Sequence, residues 1–178
     1  MAKNSEKQIK KDEKKIIAEL QTNANSSIND IAIKCGFSRQ KVWRIIKNLE
    51  KNNTIWGYTA VVDSEKQNMK KYYVLIKRTN IPVKKEIINK IISRELKKSS
   101  EELGVHLMTS SYTNGAYDYI ICINASDIKG AKRFVENLNR LFGNAISEIL
   151  LIEEMFCVQK CGIENPEIER FKEFFDIE

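Results

Sequence analysis

Residues 38–51, SRQKVWRIIKNLEK, bring together side chains suited to gripping a polyanion. Ser38 is placed to cap a helix. Behind it, Val42, Ile45, Ile46 and Leu49 recur at helical spacing and form one apolar stripe. The opposite face is left with Arg39, Gln40, Lys41, Arg44 and Lys47. On such a face Arg and Lys donate to guanine edges, Gln reads adenine, and the remaining cations and the first backbone N–H groups hold phosphates. Binding to double-stranded DNA is therefore the chemistry these residues support. No P-loop, nucleophile elbow or zinc-protease helix occurs anywhere in the chain, so no enzyme activity and no cofactor are expected.

A recognition helix needs a scaffold, and the preceding sequence supplies one. Ile9, Ile16, Ile17 and Leu20 predict a helix from near Asp12, ending in the polar run 22–26. Ser27, with Asp30 three residues on, predicts the start of a second, short helix that buries Ile28, Ile31 and Ala32. Cys35-Gly36 ends it, because glycine accepts the left-handed conformation that a tight exit requires. Short helix, glycine turn and long basic helix make a helix-turn-helix. Residues 54–62, TIWGYTAVV, are rich in strand formers and predict a small hairpin, the wing of a winged helix; Trp43 and Trp56 fit packing between helix and wing, with DNA contact the alternative.

The whole chain agrees with this reading. Its 178 residues carry a net charge of +6. Residues 1–80 hold 17 Lys+Arg against 8 Asp+Glu, and residues 81–178 hold 13 against 16, so the basic excess lies in the first half. No apolar run approaches the ~20 residues of a membrane span, and the N-terminus lacks the apolar core of a secretory signal, so a cytoplasmic location is expected. Cys35, Cys122, Cys157 and Cys161 suggest no disulfide framework, and with one His and a single C-x3-C pair no metal site is expected.

After a polar hinge at 63–70, strands and helices alternate. Strands are predicted at 71–79, 104–112, 118–124 and 146–158. A helix opens at Pro82 and buries Val83, Ile87, Ile88, Ile91 and Ile92. A second, capped by Ser126 or Asp127, buries Ile128, Ala131, Phe134, Val135, Leu138 and Leu141 and ends at Gly143. This is the βαββαβ order of a ferredoxin-like domain. The predicted fold class is α+β: a winged helix-turn-helix over 1–62, a ferredoxin-like domain over 71–162, and a tail over 163–178 forming a short amphipathic helix.

The run Gly36-Phe37-Ser38, Val42, Arg44, Leu49-Glu50, Ile55 and Gly57-Tyr58-Thr59-Ala60-Val61-Val62-Asp63 resembles the N-terminal domain of the Lrp/AsnC (feast/famine) regulators, archaeal type. Asp12, Ile16, Leu20-Gln21, Ala24 and Asp30-Ile31-Ala32 match the helices before it, and the similarity covers about residues 8–66. The family usually has another Asp about three residues before the position of Asp12, where this chain reads Lys-Gln-Ile. The resemblance implies a transcription regulator whose second domain dimerises through its sheet, assembles into higher oligomers such as an octamer, and binds a small amino-acid effector. It also implies an effector loop at Gly115, Ala116, Tyr117 and Asp118, with Asp118 accepting from the ammonium and the backbone near Gly115 donating to the carboxylate. The same residues also suit a plain hairpin turn. Where the family often places Thr at two alternate positions, this chain has Ser147 and Ile149, which argues against a polar amino acid as effector. The stretch LKKSSEELGV reads as a lengthened loop.

Other functions fit less well. Siroheme decarboxylases share the two-domain layout, but His106 is not followed by the Asn-Tyr-x-Arg of their signature. RNA-recognition modules need aromatics that Asp118-Tyr119-Ile120-Ile121-Cys122-Ile123 lacks. An architectural DNA-wrapping protein remains consistent with the same basic helices.

Overall fold

A computed structural model describes residues 6–175. These divide into two compact units, 6–61 together with 158–175, and 62–157.

The first unit is built on three helices, α1 (Glu6–Thr22), α2 (Ile28–Cys35) and α3 (Arg39–Lys51). The first helix is formed by Glu6, well before Asp12, where the apolar pattern placed its start; its opening turns are polar and are supported by a Glu6–Lys10 ion pair one turn apart. The Ser27 hydroxyl accepts from the Asp30 N–H, and Gly36 takes a left-handed φ of 71° while its N–H returns to α2 carbonyls. The Ser38 hydroxyl accepts from the Lys41 N–H in the same way. Ile16, Ile31, Ala32, Cys35, Val42, Ile45 and Leu49 form the core, and Ile28 stays partly exposed at its rim.

A buried ion pair crosses this core. Asp12 of α1 is 3% exposed, and its Oδ2 lies 2.6 Å from the Nζ of Lys41 on α3. Gln8 donates to the other carboxylate oxygen at 2.7 Å. The Lys41 ammonium also sits 3.9 Å from the centre of the Phe37 ring. Lys41 holds the Asp12 carboxyl below its ordinary range, outweighing the burial that pushes it up.

The predicted wing hairpin is absent. Residues 54–63 contain no strand. The segment runs from the end of α3, where the Thr54 and Ile55 N–H groups donate to the Leu49 carbonyl, and the Tyr58 hydroxyl donates to Glu50. Without a partner strand it offers no cover to either tryptophan, and neither packs as predicted: Trp56 is 95% exposed and Trp43 53%.

Later in this unit come two short strands, β5 (Gln159–Lys160) and β6 (Ile163–Glu164). Cys161 and Gly162 turn between them, both at positive φ, as a tight hairpin requires. The tail beyond forms a 3-10 helix, Ile168–Phe174, where a short amphipathic helix was expected, and the last strand predicted over 146–158 ends before the hairpin, at Glu153.

The second unit contains β1 (Lys70–Arg78), α4 (Lys85–Ile92), α5 (Glu95–Glu102), β2 (His106–Tyr112), β3 (Tyr119–Ala125), α6 (Ile128–Phe142) and β4 (Ile146–Glu153). The sheet order is β2-β3-β1-β4 and every pairing is antiparallel, as in ferredoxin-like folds. Tyr72, Val74, Ile76, Ile121 and Ile123 turn one face of the sheet to Ala131, Phe134 and Leu138 of α6. Within the expected hinge, Ser64 accepts from Asn124 Nδ2 of β3, so this turn is fixed to the sheet.

Two predictions for the helices fail here. Most of the loop expected over 96–105 is α5, and Arg94 before it holds a left-handed φ of 58°. It lacks an apolar stripe but is held from the side, because the buried Asn137 of α6 donates to Ser99. The helix expected from Pro82 begins at Lys85, and none of its apolar residues is buried. Lys90 Nζ caps the α6 end through the Leu141 carbonyl, fixing α4 over the sheet without pressing it down.

Asp12→Asn is expected to lower the stability of the first unit by about 2 kcal/mol, the scale of a lost charge-assisted hydrogen bond. Because the folded carboxyl titrates below its unfolded value of about 4, its contribution is complete above that pH and is lost as pH falls through the lowered value. Circular dichroism against pH should show an acid step in the wild type that the Asn variant lacks.

Candidate nucleic-acid interface

Because α3 buries Val42, Ile45 and Leu49, its rotation is fixed, and so is the face it presents. Arg39, Gln40, Trp43 and Arg44 stand exposed there and, with Ile28, Ser38 and part of Lys41, line an open hollow beside the helix N-terminus. Among the described residues, no acidic side chain lines the hollow. It offers guanidinium donors, an amide able to read a base edge, and an indole with a free face.

The six residues expected to bind DNA are not equivalent. Arg39, Gln40 and Arg44 lie on the open face. Ser38 is exposed with its hydroxyl engaged in the cap. Lys41 is turned inward to Asp12, so it positions the helix. Lys47 is exposed, but its ammonium pairs with Glu50 at 2.7 Å and would have to leave that partner to meet a phosphate. Lys47 in turn holds the Glu50 carboxyl below its usual range. Trp43 belongs to the surface although its apolar character had suggested packing. Its position three and four residues from Gln40 and Lys47 was the available signal.

The second candidate, the loop 115–118, joins β2 to β3. Asp118 is half-buried and its Oδ2 accepts from the Arg78 N–H at 2.8 Å, beside the irregularity that ends β1. The Asp118 carbonyl and N–H are bonded to Thr113 and Ile76, and the Thr113 hydroxyl donates to the Tyr117 carbonyl. Gly115 and Ala116 are exposed and Tyr117 is half-buried. One Asp118 oxygen therefore already serves the fold. Ser147 donates to the Lys77 and Arg78 carbonyls, which explains its hydroxyl in structural terms.

His106 opens β2 on the exposed side of the sheet. Among the described residues, no three His, Cys, Asp or Glu side chains converge as a metal site. No helix among them is long and apolar enough to cross a membrane.

Residues 13–55 match the family model for winged helix-turn-helix DNA-binding. The match stops where the wing would begin. Among solved structures, PH0061 is 22% identical, with 90% of this chain and 98% of that one covered and a TM-score of 0.67. An AsnC family transcriptional regulator from Agrobacterium tumefaciens gives 21% identity, coverage of 84% and 92%, and a TM-score of 0.60. The fold is that of the Lrp/AsnC regulators. A feast or famine regulatory protein from M. tuberculosis, complexed with L-methionine, shares this fold at 12% identity, with 84% of this chain and 94% of that one covered and a TM-score of 0.65. No curated protein matches the sequence. Within the Lrp/AsnC fold, the basic helix and the β2–β3 loop of this chain lie in different compact units.

Asp118→Ala should cost about 1–2 kcal/mol, because the Arg78 N–H loses its acceptor. Asp118→Asn keeps an oxygen there and should be nearly neutral. Chemical denaturation of the two variants separates the fold contribution of the carboxylate from any contribution of its charge.

Proposed function

We propose that the protein is a sequence-specific, double-stranded DNA-binding transcription regulator of the Lrp/AsnC type. The observation that carries this is the exposed face at the start of α3, where Arg39, Gln40, Trp43 and Arg44 line a hollow with no acidic residue among its described lining, on a helix tied to α1 by the Asp12–Lys41 ion pair. Arg39 and Arg44 read guanine, Gln40 reads adenine, and Trp43 offers an apolar surface to a thymine methyl or the sugar edge. Lys47 and the backbone N–H groups behind Ser38 hold phosphates. The protein works in the cytoplasm and has no catalytic role.

The working form is a homodimer joined through the open face of the sheet, with further assembly from there. Leu75, Ile120, Leu150 and Ile152 lie on that face, opposite the core residues of their strands, and the last three are substantially exposed. Strands apolar on both faces are characteristically covered on both. Two recognition helices from one dimer would meet half-sites about 34 Å apart, or a multiple of it.

The β2–β3 loop is the proposed effector contact. The L-methionine complex of the M. tuberculosis relative supports an amino-acid-like ligand, with Asp118 receiving its ammonium. Thermal-shift screening of amino acids tests this role through Asp118→Asn, which keeps the fold but removes the charge. Loss of the ligand response in that variant is expected, and an equal response would place the ligand elsewhere.

Selection from random DNA pools tests the main function. A pseudo-palindromic motif should emerge, and Arg44→Ala should relax one position at a cost of about 1–3 kcal/mol. Binding should weaken steeply with salt, by about 0.9 in log–log slope per phosphate held. Salt-dependent binding without an enriched motif would favour an architectural, DNA-wrapping role.

A further inference from the structure

The second unit contains a cavity of about 520 Å³ between the inner face of the sheet and the α4–α5 pair. That size lies within the ~300–1,000 Å³ typical of small-molecule sites. Its body is apolar, with Ile87, Ile88 and Ile91 of α4 facing Ile121, Leu138 and Phe142 across the gap. The cavity explains why α4 has no buried residue although its stripe is apolar.

The polar part of the lining is one-sided. Arg78, Arg94 and Lys97 line the cavity, and among the described residues no acidic side chain does. Two details single out the arginines. The Nε of Arg78 is buried and has no acceptor among the described residues, while its Nη1 donates to the Tyr112 hydroxyl at 3.2 Å. A buried guanidinium N–H without an acceptor is costly. Arg94 holds a left-handed backbone, which is strained for a residue with a side chain, in the link between α4 and α5. Lys97 already has a distant partner in Glu101, at 3.8 Å.

We propose that this cavity binds an apolar monocarboxylate, an acid with a hydrocarbon body and no ammonium group. The carboxylate takes the unmet Nε–H of Arg78 and the guanidinium of Arg94, and the hydrocarbon fills the space between α4 and the sheet. Such a ligand differs in kind from the amino acid assigned to the β2–β3 loop. An ammonium beside the carboxylate would meet three cations and no anion here. The two sites touch through one residue: the Arg78 side chain lines the cavity, and its backbone N–H holds Asp118.

The test is calorimetric titration of the full-length protein with decanoate, below its micelle concentration, with decan-1-ol, decylamine and acetate as comparisons. One saturable decanoate site per chain is expected. Decanol should bind at least tenfold more weakly, and decylamine and acetate should not bind measurably at the same concentrations. Arg94→Gly should weaken decanoate at least tenfold while leaving the ligand-free melting temperature equal or higher, because glycine accepts the left-handed backbone. A merely structural arginine would not give that combination. Arg78→Gln should also weaken decanoate and leave the decanol affinity unchanged. Absent decanoate binding, equal affinity for decanoate, decanol and decylamine, or full decanoate affinity in both variants would overturn the proposal. DNA binding plays no part in the readout, so the outcome is separate from that of the operator selection.

Discussion

The recognition helix depends on a contact that faces away from DNA. Lys41 is one of five cationic residues on α3, and the fold directs it inward to Asp12. A buried carboxylate whose charge is unpaired is costly, so the Asp12–Lys41 contact favours the register of α1 on α3 that makes it. Apolar packing alone tolerates small rotations of one helix on another, whereas an ion pair at 2.6 Å between a buried carboxylate and a partly exposed ammonium adds a directional constraint. Phe37, in the turn before α3, closes the other side of the ammonium. The chain thereby gives up one charge on the DNA side and gains a fixed direction for Arg39, Gln40 and Arg44.

A similar economy holds in the second unit, where the end of β1 is pinned from two sides. Asp118 accepts from the Arg78 N–H, and Ser147 donates to the Lys77 and Arg78 carbonyls. These bonds gather three separate parts of the chain, the β2–β3 loop, the start of β4 and the last residue of β1, around one backbone position. They satisfy the groups that the irregularity between Lys77 and Arg78 removes from the ladder. The Arg78 side chain is left to point along the inner face of the sheet, where its guanidinium lines the cavity.

Much of this was legible in local sequence. Ser27, Ser38 and Gly36 act within a few residues of themselves, and the structure shows each in the expected cap. The βαββαβ order was equally plain, because its strands and α6 carry strong periodic patterns. The inward turn of Lys41 was not legible, since a helical projection places it among polar neighbours and its partner lies on another helix. Trp43 and Trp56 were misjudged because bulky aromatics usually pack, and packing required a wing strand that does not form. The segment ELKKSSEE shows no apolar stripe, and α5 is held by the single Leu96 against the core, the buried Ser100 and the Asn137–Ser99 bond, none of which a periodicity can reveal. Cys161-Gly162 turns as Asn-Gly would, and only the positive φ of the cysteine exposes the hairpin.

The failed burial of α4 is the more informative departure. A stripe of Val83, Ile87, Ile88, Ile91 and Ile92 normally collapses onto a sheet, and about 25 cal/mol per Å² of apolar surface favours that collapse. Here α4 is fixed at a distance instead, by Lys90 on the end of α6 at one side and by the left-handed link to α5 at the other. An empty apolar gap forfeits contacts along both of its walls. Elements that hold such a gap open give up stability for the unliganded unit, and that loss is recovered when an occupant of the right shape enters. An occupant can alter function only through a difference in affinity between two states of the protein. The element best able to differ between such states is α4, whose stripe has few packed contacts to break, and the residue best placed to report the change is Arg78, whose side chain meets the cavity and whose backbone holds the β2–β3 loop.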